Sequence, residues 1–378
     1  MCARHRLVNA ASALAASCLL VACAGEASSV GGGAASSGGG GGDGGGAGGV
    51  GGSGPACACE PGIHESRIAL LSGDGAIWTY DPVANQIAHQ RDIPCAVAHP
   101  YSMAVDTAGV AWILDADSKD LVTLPLEGTA PCGDPGFDPG PLQAGFSLFG
   151  MAFTARGPGD ACADLFAHSY SGSGPFGEGP GAGVLGVLDP AKERLEILAA
   201  TDYDGAELAG RGDGRLFAFA GVDPVKLVEY DRATGGVVAT RALGGFSKTN
   251  ASAFAVYGKH VYFFTEAPPV GCDACLETSC GAAFQACIAD PPCAADLACA
   301  LEQGDITDAC GGLLSAELMS CVAGPCLDAC LPSPADRVSQ VSRLLLDDPA
   351  AALEVVLPAA PLRVVGAGTS ICVPTLAN

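Results

Sequence analysis

Residues 206–243 read AELAGRGDGRLFAFAGVDPVKLVEYDRATGGVVATRAL, and this stretch decides the fold. Ala206 to Gly210 form a short apolar strand, and Arg211-Gly212-Asp213-Gly214 is a turn. Arg215 to Phe219 are a second strand and Lys226 to Tyr230 a third. Asp231 to Gly236 then turn the chain into a fourth, Val237 to Leu243. Short apolar or alternating strands punctuated by Gly, Asp and Pro are the pattern of an all-β unit.

The same scheme recurs on both sides, about every 35 to 50 residues. Ser102 to Val105, Ala111 to Leu114 and Leu121 to Leu126 give three strands of one unit. Leu148 to Phe153, Asp164 to His168, Gly183 to Leu188 and Arg194 to Leu198 give another. Ala251 to Val256, His260 to Thr265, Val341 to Leu346 and Leu353 to Leu357 give a further one. The first unit shows only Ile68 to Leu71, Ile77 to Tyr80 and Gln86 to Asp92, while Leu362 to Pro374 is strand material left over at the end. Letting that last stretch supply the innermost strand of the first unit closes a ring and removes exposed edges. The expectation is a five-bladed β-propeller, six-bladed if 127–147 holds a degenerate blade; the competing architecture is an open β-sandwich.

Composition agrees. The 378 residues contain 54 Gly, 49% hydrophobic residues and 16% charged residues, which suits a turn-rich β protein with an ample core. With 18 Lys+Arg against 41 Asp+Glu the net charge is −23, which argues against nucleic acid and against an electrostatic hold on anionic lipid.

The first residues carry an address. Arg4, His5 and Arg6 precede an apolar run from Leu7 to Ala22, the form of an export signal rather than of a spanning helix. The run ends Leu20-Val21-Ala22-Cys23, which resembles a bacterial lipobox. That resemblance implies cleavage after residue 22, acylation of Cys23 and stable anchoring by several acyl chains. Ordinary signal cleavage near Ala22 or Ala24, leaving Cys23 as a thiol, is the alternative. Ala24 and Gly25 follow the Cys where an Asp would stand in an inner-membrane lipoprotein, so the expected location is the outer membrane of a bacterial envelope. Residues 24–54 are nearly all Gly, Ala and Ser and read as a flexible tether with an r.m.s. reach of roughly 30 Å. Loss of Arg4 and Arg6 with the signal takes the net charge from −23 to −25.

Of the 19 Cys, Cys2 and Cys18 leave with the signal and Cys23 takes lipid, so 16 remain in an oxidising compartment. That is a disulfide framework of up to eight bridges. Six lie in the body: Cys57, Cys59, Cys95, Cys132, Cys162 and Cys372. A pairing of Cys95 with Cys132, and of Cys372 with Cys57 or Cys59, would tie a blade and join the termini. The other ten are Cys272, Cys275, Cys280, Cys287, Cys293, Cys299, Cys310, Cys321, Cys326 and Cys330.

Those ten fall in an insertion, 271–332, that interrupts the fifth blade between Thr265 and Val341. It holds nine acids, no Lys, Arg or His, and one aromatic residue, Phe284. Ala-rich runs at 281–289, 293–303 and 315–323 predict short helices, broken at Asp290-Pro291-Pro292 and opened at Ser315. Cys280 and Cys287, seven apart, would face the same way on a helix. So thin a core needs staples. The competing reading is zinc held by Cys272, Cys275, Cys326 and Cys330, which export, the surplus of Cys and the lack of His oppose. The expected organisation is a signal at 1–22, lipid and tether at 23–55, a propeller at 56–270 and 333–378, and the insertion at 271–332.

Several phrases resemble a family of exported β-propeller proteins common in myxobacteria. They are Tyr101-Ser102-Met103-Ala104-Val105-Asp106 with Gly109-Val110-Ala111-Trp112, then Phe149-Gly150-Met151-Ala152-Phe153, and Ala206-Glu207-Leu208 with Gly212-Asp213-Gly214-Arg215-Leu216-Phe217. Val364 to Pro374 joins them. The resemblance covers nearly all of 67–374 outside the insertion; it implies fold and export and carries no activity. The insertion itself is similar to small cysteine-rich helical modules of exported myxobacterial proteins.

Catalytic signatures are sparse. There is no G-x-S-x-G elbow, no H-E-x-x-H pair and no phosphate-binding loop. His64, His89, His99, His168 and His260 are scattered, and Trp78 and Trp112 sit in strand patterns. Asp115, Asp117 and Asp120 form a D-x-D-x-x-D run at a strand end without the Gly and Glu of a calcium loop. Arg211-Gly212-Asp213 matches an integrin-binding tripeptide but reads as a hairpin turn. Asp106 and Glu207 lie on or beside expected inner strands, where calcium-dependent propeller lactonases hold their metal. The leading expectation is therefore an anchored propeller with no cofactor that binds a protein or glycan. The alternatives are a gluconolactonase-like hydrolase, which would need calcium, and a structural envelope lipoprotein.

Overall fold

The computed structural model describes residues 57–62, 67–136, 146, 148–171, 177–189, 194–221, 224–244, 251–303, 306 and 312–375. The chain divides into two units, Met1–Gly54 and Pro55–Asn378, and every described residue belongs to the second. The signal, Cys23, the tether, His64 and Cys310 lie outside the described residues.

Five sheets form the body. The chain first makes β1 (Ile68–Ser72), β2 (Ala76–Asp81) and β3 (Gln86–Asp92), then β4 (Pro100–Val105), β5 (Val110–Asp115) and β6 (Leu121–Pro125). The third sheet is β7 (Leu148–Ala155), β8 (Ala163–Tyr170), β9 (Glu178–Asp189) and β10 (Arg194–Tyr203). The fourth is β11 (Glu207–Gly210), β12 (Leu216–Ala220), β13 (Lys226–Tyr230) and β14 (Val237–Ala242). The fifth is β15 (Ser252–Tyr257), β16 (His260–Glu266), β17 (Ser339–Leu345) and β18 (Glu354–Leu357). The last strand, β19 (Val364–Gly368), pairs antiparallel with β1, so the first sheet runs β19-β1-β2-β3 and the ring is closed by its C-terminal strand.

The fold is a five-bladed propeller. Each inner strand packs on the next in the order β19, β4, β7, β11, β15 and back to β19. Among the described residues the second blade has three strands, with the bridge Thr123–Gly133 at its outer side. Described residues of 127–136 add no sixth sheet. In the third blade β9 and β10 outrun the expected Gly183 to Leu188 and Arg194 to Leu198, because their pairing continues out to Glu178 and Tyr203.

Inner strands approach too closely for side chains at some points. A Cβ on Gly210 would lie 2.0 Å from the Phe153 carbonyl oxygen, and one on Gly150 2.3 Å from that of Ala206. Cores between blades are apolar: Phe219, Phe254 and Phe263 interlock where the fourth blade meets the fifth, with Phe219 and Phe263 ring centroids 5.0 Å apart.

Between β16 and β17 the chain leaves the ring and makes α1 (Cys272–Ile288), α2 (Pro291–Gln303), α3 (Ala316–Val322) and α4 (Leu327–Cys330). Ser315 caps α3 by accepting from the Leu318 amide, as its sequence position indicates. Two expectations change here. First, α1 begins at Cys272 rather than near 281, because Leu276 is buried and Cys272 and Cys275 are stapled to α4. Second, the helix that carries Cys280 and Cys287 is not continuous: Cys280 departs from helical geometry (φ −141°, ψ 32°) and kinks α1, and both cysteines meet the insertion's core.

The disulfides follow from this packing. Cys272 pairs with Cys330, Cys275 with Cys326, Cys280 with Cys321 and Cys287 with Cys293, and Cys299 is also disulfide-bonded. The four thiols that a zinc reading would use are thus consumed in two parallel staples between α1 and α4. In the ring, Cys95 pairs with Cys132, Cys59 with Cys372, and Cys57 with Cys162.

Candidate functional site

The inner strands all run the same way, so the ring has an upper end, where they start, and a lower end, where they finish. Gly366 lies against Met103 and Gly368 against Val105, which fixes β19 and β4 in parallel. The axis between them is closed. Met103, Met151, Phe153, Leu208, Ala255 and Thr369 leave a cavity of about 10 Å³, room for roughly one water. At this level the axis has no room for a ligand.

Glu207 and Asp106 sit at opposite ends. Asp106 follows β4 at the lower end, where its Oδ1 accepts from the Ala108 and Val110 amides and its Oδ2 from Trp112 Nε1 at 3.1 Å. It holds a turn and orients a tryptophan. Glu207 begins β11 at the upper end, where Ser102 Oγ donates to its Oε2 at 2.9 Å. The two acids that a lactonase-like centre would share are not brought together. Among the described residues no group of three or more His, Cys, Asp or Glu is placed to hold a metal ion.

The upper end gathers residues that the sequence pattern does not mark as a site. Tyr101 of β4 and Tyr170 of β8 lie parallel, planes 1° apart and centroids 6.3 Å apart. Asp204 accepts from the Ser171 amide and from its hydroxyl. Burial, then the nearby Glu207 carboxylate, pushes the Tyr101 hydroxyl well above the usual phenol range, and burial with Asp204 raises Tyr170. These phenols stay protonated donors beside carboxylate acceptors. The arrangement can recognise hydroxyl and amide groups. His168 of β8 is buried in the core, with Nε2 on Thr201 Oγ1 at 3.0 Å and its ring over Tyr230.

The remaining sequence candidates have structural roles. Asp115 accepts from the His99 and Asp117 amides and from Ser118, and these bonds outweigh burial and lower its pKa. Asp117 pairs with His99 at 2.7 Å. His89 packs edge-on against Trp78. His260 begins β16 beside Tyr262, and burial lowers its pKa. Arg211 is only 8% exposed, 3.3 Å from Asp213, and donates to the Thr375 carbonyl, so the tripeptide's arginine points inward.

At the upper end the insertion emerges from β16, next to the starts of β15 and β19. Glu266, the last residue of β16, is 5% exposed; its Oε1 accepts from Arg363 Nε at 2.7 Å and its Oε2 from Arg337 Nη1 at 2.9 Å. Sequence offers little sign of this trio, whose members lie 71 and 97 residues apart. At the lower end, Cys57 and Cys59 fasten residues 57–60 to the loops that follow β7 and β19, and the Glu60 amide bonds the Thr107 carbonyl in the loop after β4. The N-terminal segment thus crosses beneath three neighbouring blades.

No family model matches this chain, and no curated protein sequence matches it. Among solved structures it is similar to TolB from Acinetobacter baumannii, with 12% identity and a TM-score of 0.36, covering 79% of this chain and 54% of that one. It is also similar to virginiamycin B lyase from Staphylococcus aureus, with 14% identity and a TM-score of 0.29, covering 52% of this chain and 61% of that one. The chain thus spans little more than half the length of these proteins. Likeness of this size carries no activity across.

Proposed function

We propose that this chain is a lipid-anchored propeller of the bacterial outer membrane that binds a protein or glycan with its upper end, the insertion adding contact surface. One observation carries the reading. Residues 57–60 are fastened to the lower end, while the insertion, Glu207 and the Tyr101–Tyr170 pair lie at the upper end. Whatever precedes Cys57 therefore joins the ring on the side away from the insertion. A lipid on Cys23 and a Gly-rich tether would then leave the upper end facing outward. The disulfides support an oxidising compartment, and loops at one end of a rigid scaffold are where propellers place recognition. Membership of the myxobacterial family of exported propellers belongs to the same proposal.

The test has two arms. In the native host, metabolic labelling with palmitate should mark the full chain and not Cys23→Ser, which should also leave the membrane fraction. A chain lacking 271–332 and one carrying Tyr101→Ala with Glu207→Gln should each lose capture of an envelope partner by at least tenfold. Unlabelled wild-type chain overturns the anchor; capture unchanged in both variants overturns the binding face.

A further inference from the structure

Both roots of the insertion are fastened to the lead-in of one strand, β19. On the incoming side Glu266 is bound to Arg363. On the outgoing side Ser339 is fully buried; its amide donates to the Leu362 carbonyl at 2.9 Å, its hydroxyl accepts from the Val364 amide at 2.9 Å, and its carbonyl accepts from the Ala360 amide at 2.6 Å. The roots are joined to each other by the Ala267 amide on the Val338 carbonyl and by Arg337 on Glu266. A few residues further out Cys272–Cys330 closes the neck, and Pro268, Pro269, Pro332 and Pro334 stiffen its two arms.

The other end of the same strand is fastened too. Thr369 Oγ1 donates to the Val256 carbonyl at 2.8 Å, and Cys372 is bonded to Cys59 in the N-terminal segment. Between the two ends β19 runs directly against β4, with Gly366 facing the Met103 amide and Gly368 facing the Val105 amide and side chain.

We propose that β19 ties the posture of the insertion to the N-terminal staple: Glu266 and Ser339 hold the module's neck to the top of the strand, and Cys59 holds its foot. The module is then a fixed extension of the closed ring, and loosening the foot of β19 loosens the neck. A module on a free hinge would need only the Ala267–Val338 bond and the Cys272–Cys330 closure. The buried carboxylate between two arginines and the triply bonded Ser339 are additional, and all of them act on residues 360–364. The fold thereby carries a communication route from the anchored side to the outward side through one element with two fastened ends.

Hydrogen exchange by mass spectrometry on the full chain tests this. Glu266→Gln should speed exchange at the neck, 267–270 and 331–338, by at least tenfold while α1 and α3 keep wild-type rates. The double variant Cys59→Ser with Cys372→Ser should speed exchange in β19 and, with it, at the neck. Should that double variant fail to fold, Thr369→Val, which removes only the hydroxyl bond at the foot, should give the same pattern at smaller size. Neck exchange that stays at the wild-type rate in Glu266→Gln overturns the clamp. A loosened β19 with an unchanged neck overturns the tie, and so does a β19 indifferent to loss of its foot.

Discussion

The ring and the insertion bury their backbones by different chemistry. Between blades, the ring stacks large apolar side chains that are essentially inaccessible, Phe217, Phe219, Phe254, Phe263 and Leu70 among them. In the insertion the buried cluster has thirteen members, six of which are Cys and only one of which, Phe284, is aromatic. Sixty-odd residues cannot remove enough apolar surface from water to offset chain entropy unaided. Covalent closure supplies the deficit. Each staple spanning 41 to 58 residues is worth about 4 kcal/mol in the chain-entropy model. The lesson is that one chain can hold two stability regimes, one set by side-chain volume and one by thiol chemistry.

Reduction should separate them most strongly. With excess reductant, 271–332 is expected to lose its helix and become protease-sensitive while the ring keeps its sheet. Far-UV circular dichroism and the map of cleavage sites check this, and joint collapse of both parts would break the comparison.

Core truncation should come next. Phe263→Ala, at 0% exposure between Phe219 and Phe254, should cost about 3–5 kcal/mol and lower the melting temperature of the whole ring. Phe284→Ala should raise exchange only within the insertion, whose disulfides keep it closed.

Alkali offers a selective probe, because all seven tyrosines lie in the ring. Each has its hydroxyl pushed up chiefly by burial, Tyr80 to about 12. The folded ring holds these protons where the unfolded chain releases them, near pH 10. The unfolded state therefore binds fewer protons, and ring stability is expected to fall from about pH 10 toward pH 12. In the reducing-agent-free protein, the insertion has no phenol to titrate and should show no matching loss. Denaturant midpoints for the ring and exchange rates for α1, measured between pH 9 and 12, check it.

The smallest effects sharpen the contrast at single glycines and caps. Gly281→Ala in α1 places its Cβ in open space and should stabilise the insertion by about 0.5–1 kcal/mol, whereas Gly210→Ala would collide with the Phe153 carbonyl and should destabilise the ring. Ser315→Ala should cost about 1 kcal/mol of local stability in α3, read as faster exchange there.

These two regimes also explain what the sequence made legible. Strand periodicity and turn glycines around 206–243 are local signals, and so the blades and even the closing role of Leu362 to Pro374 can be read directly. Cys272-x2-Cys275 and Cys326-x3-Cys330 are ambiguous until two helices lie antiparallel, when the same spacings become twin staples. Glu266 with Arg337 and Arg363, or Tyr101 with Tyr170, depend on which strand ends meet, and nothing within a few residues of either announces the partner. Of the two acids that the sequence marked, Glu207 lies at the upper end, while Asp106 holds a turn, as Asp115 does in the run read as a turn from the start.

The Cys57–Cys59 pair has a mechanical consequence. A pull on the chain upstream of Cys57 reaches the ring through two sulfur bridges, into the loop after β7 and the loop after β19, before it can reach β1. Tension that would otherwise peel β1 away from β19 one hydrogen bond at a time is shared between two blades. A load applied there is therefore taken by two disulfides at the lower end of the ring and not by the pairing of β1 with β19.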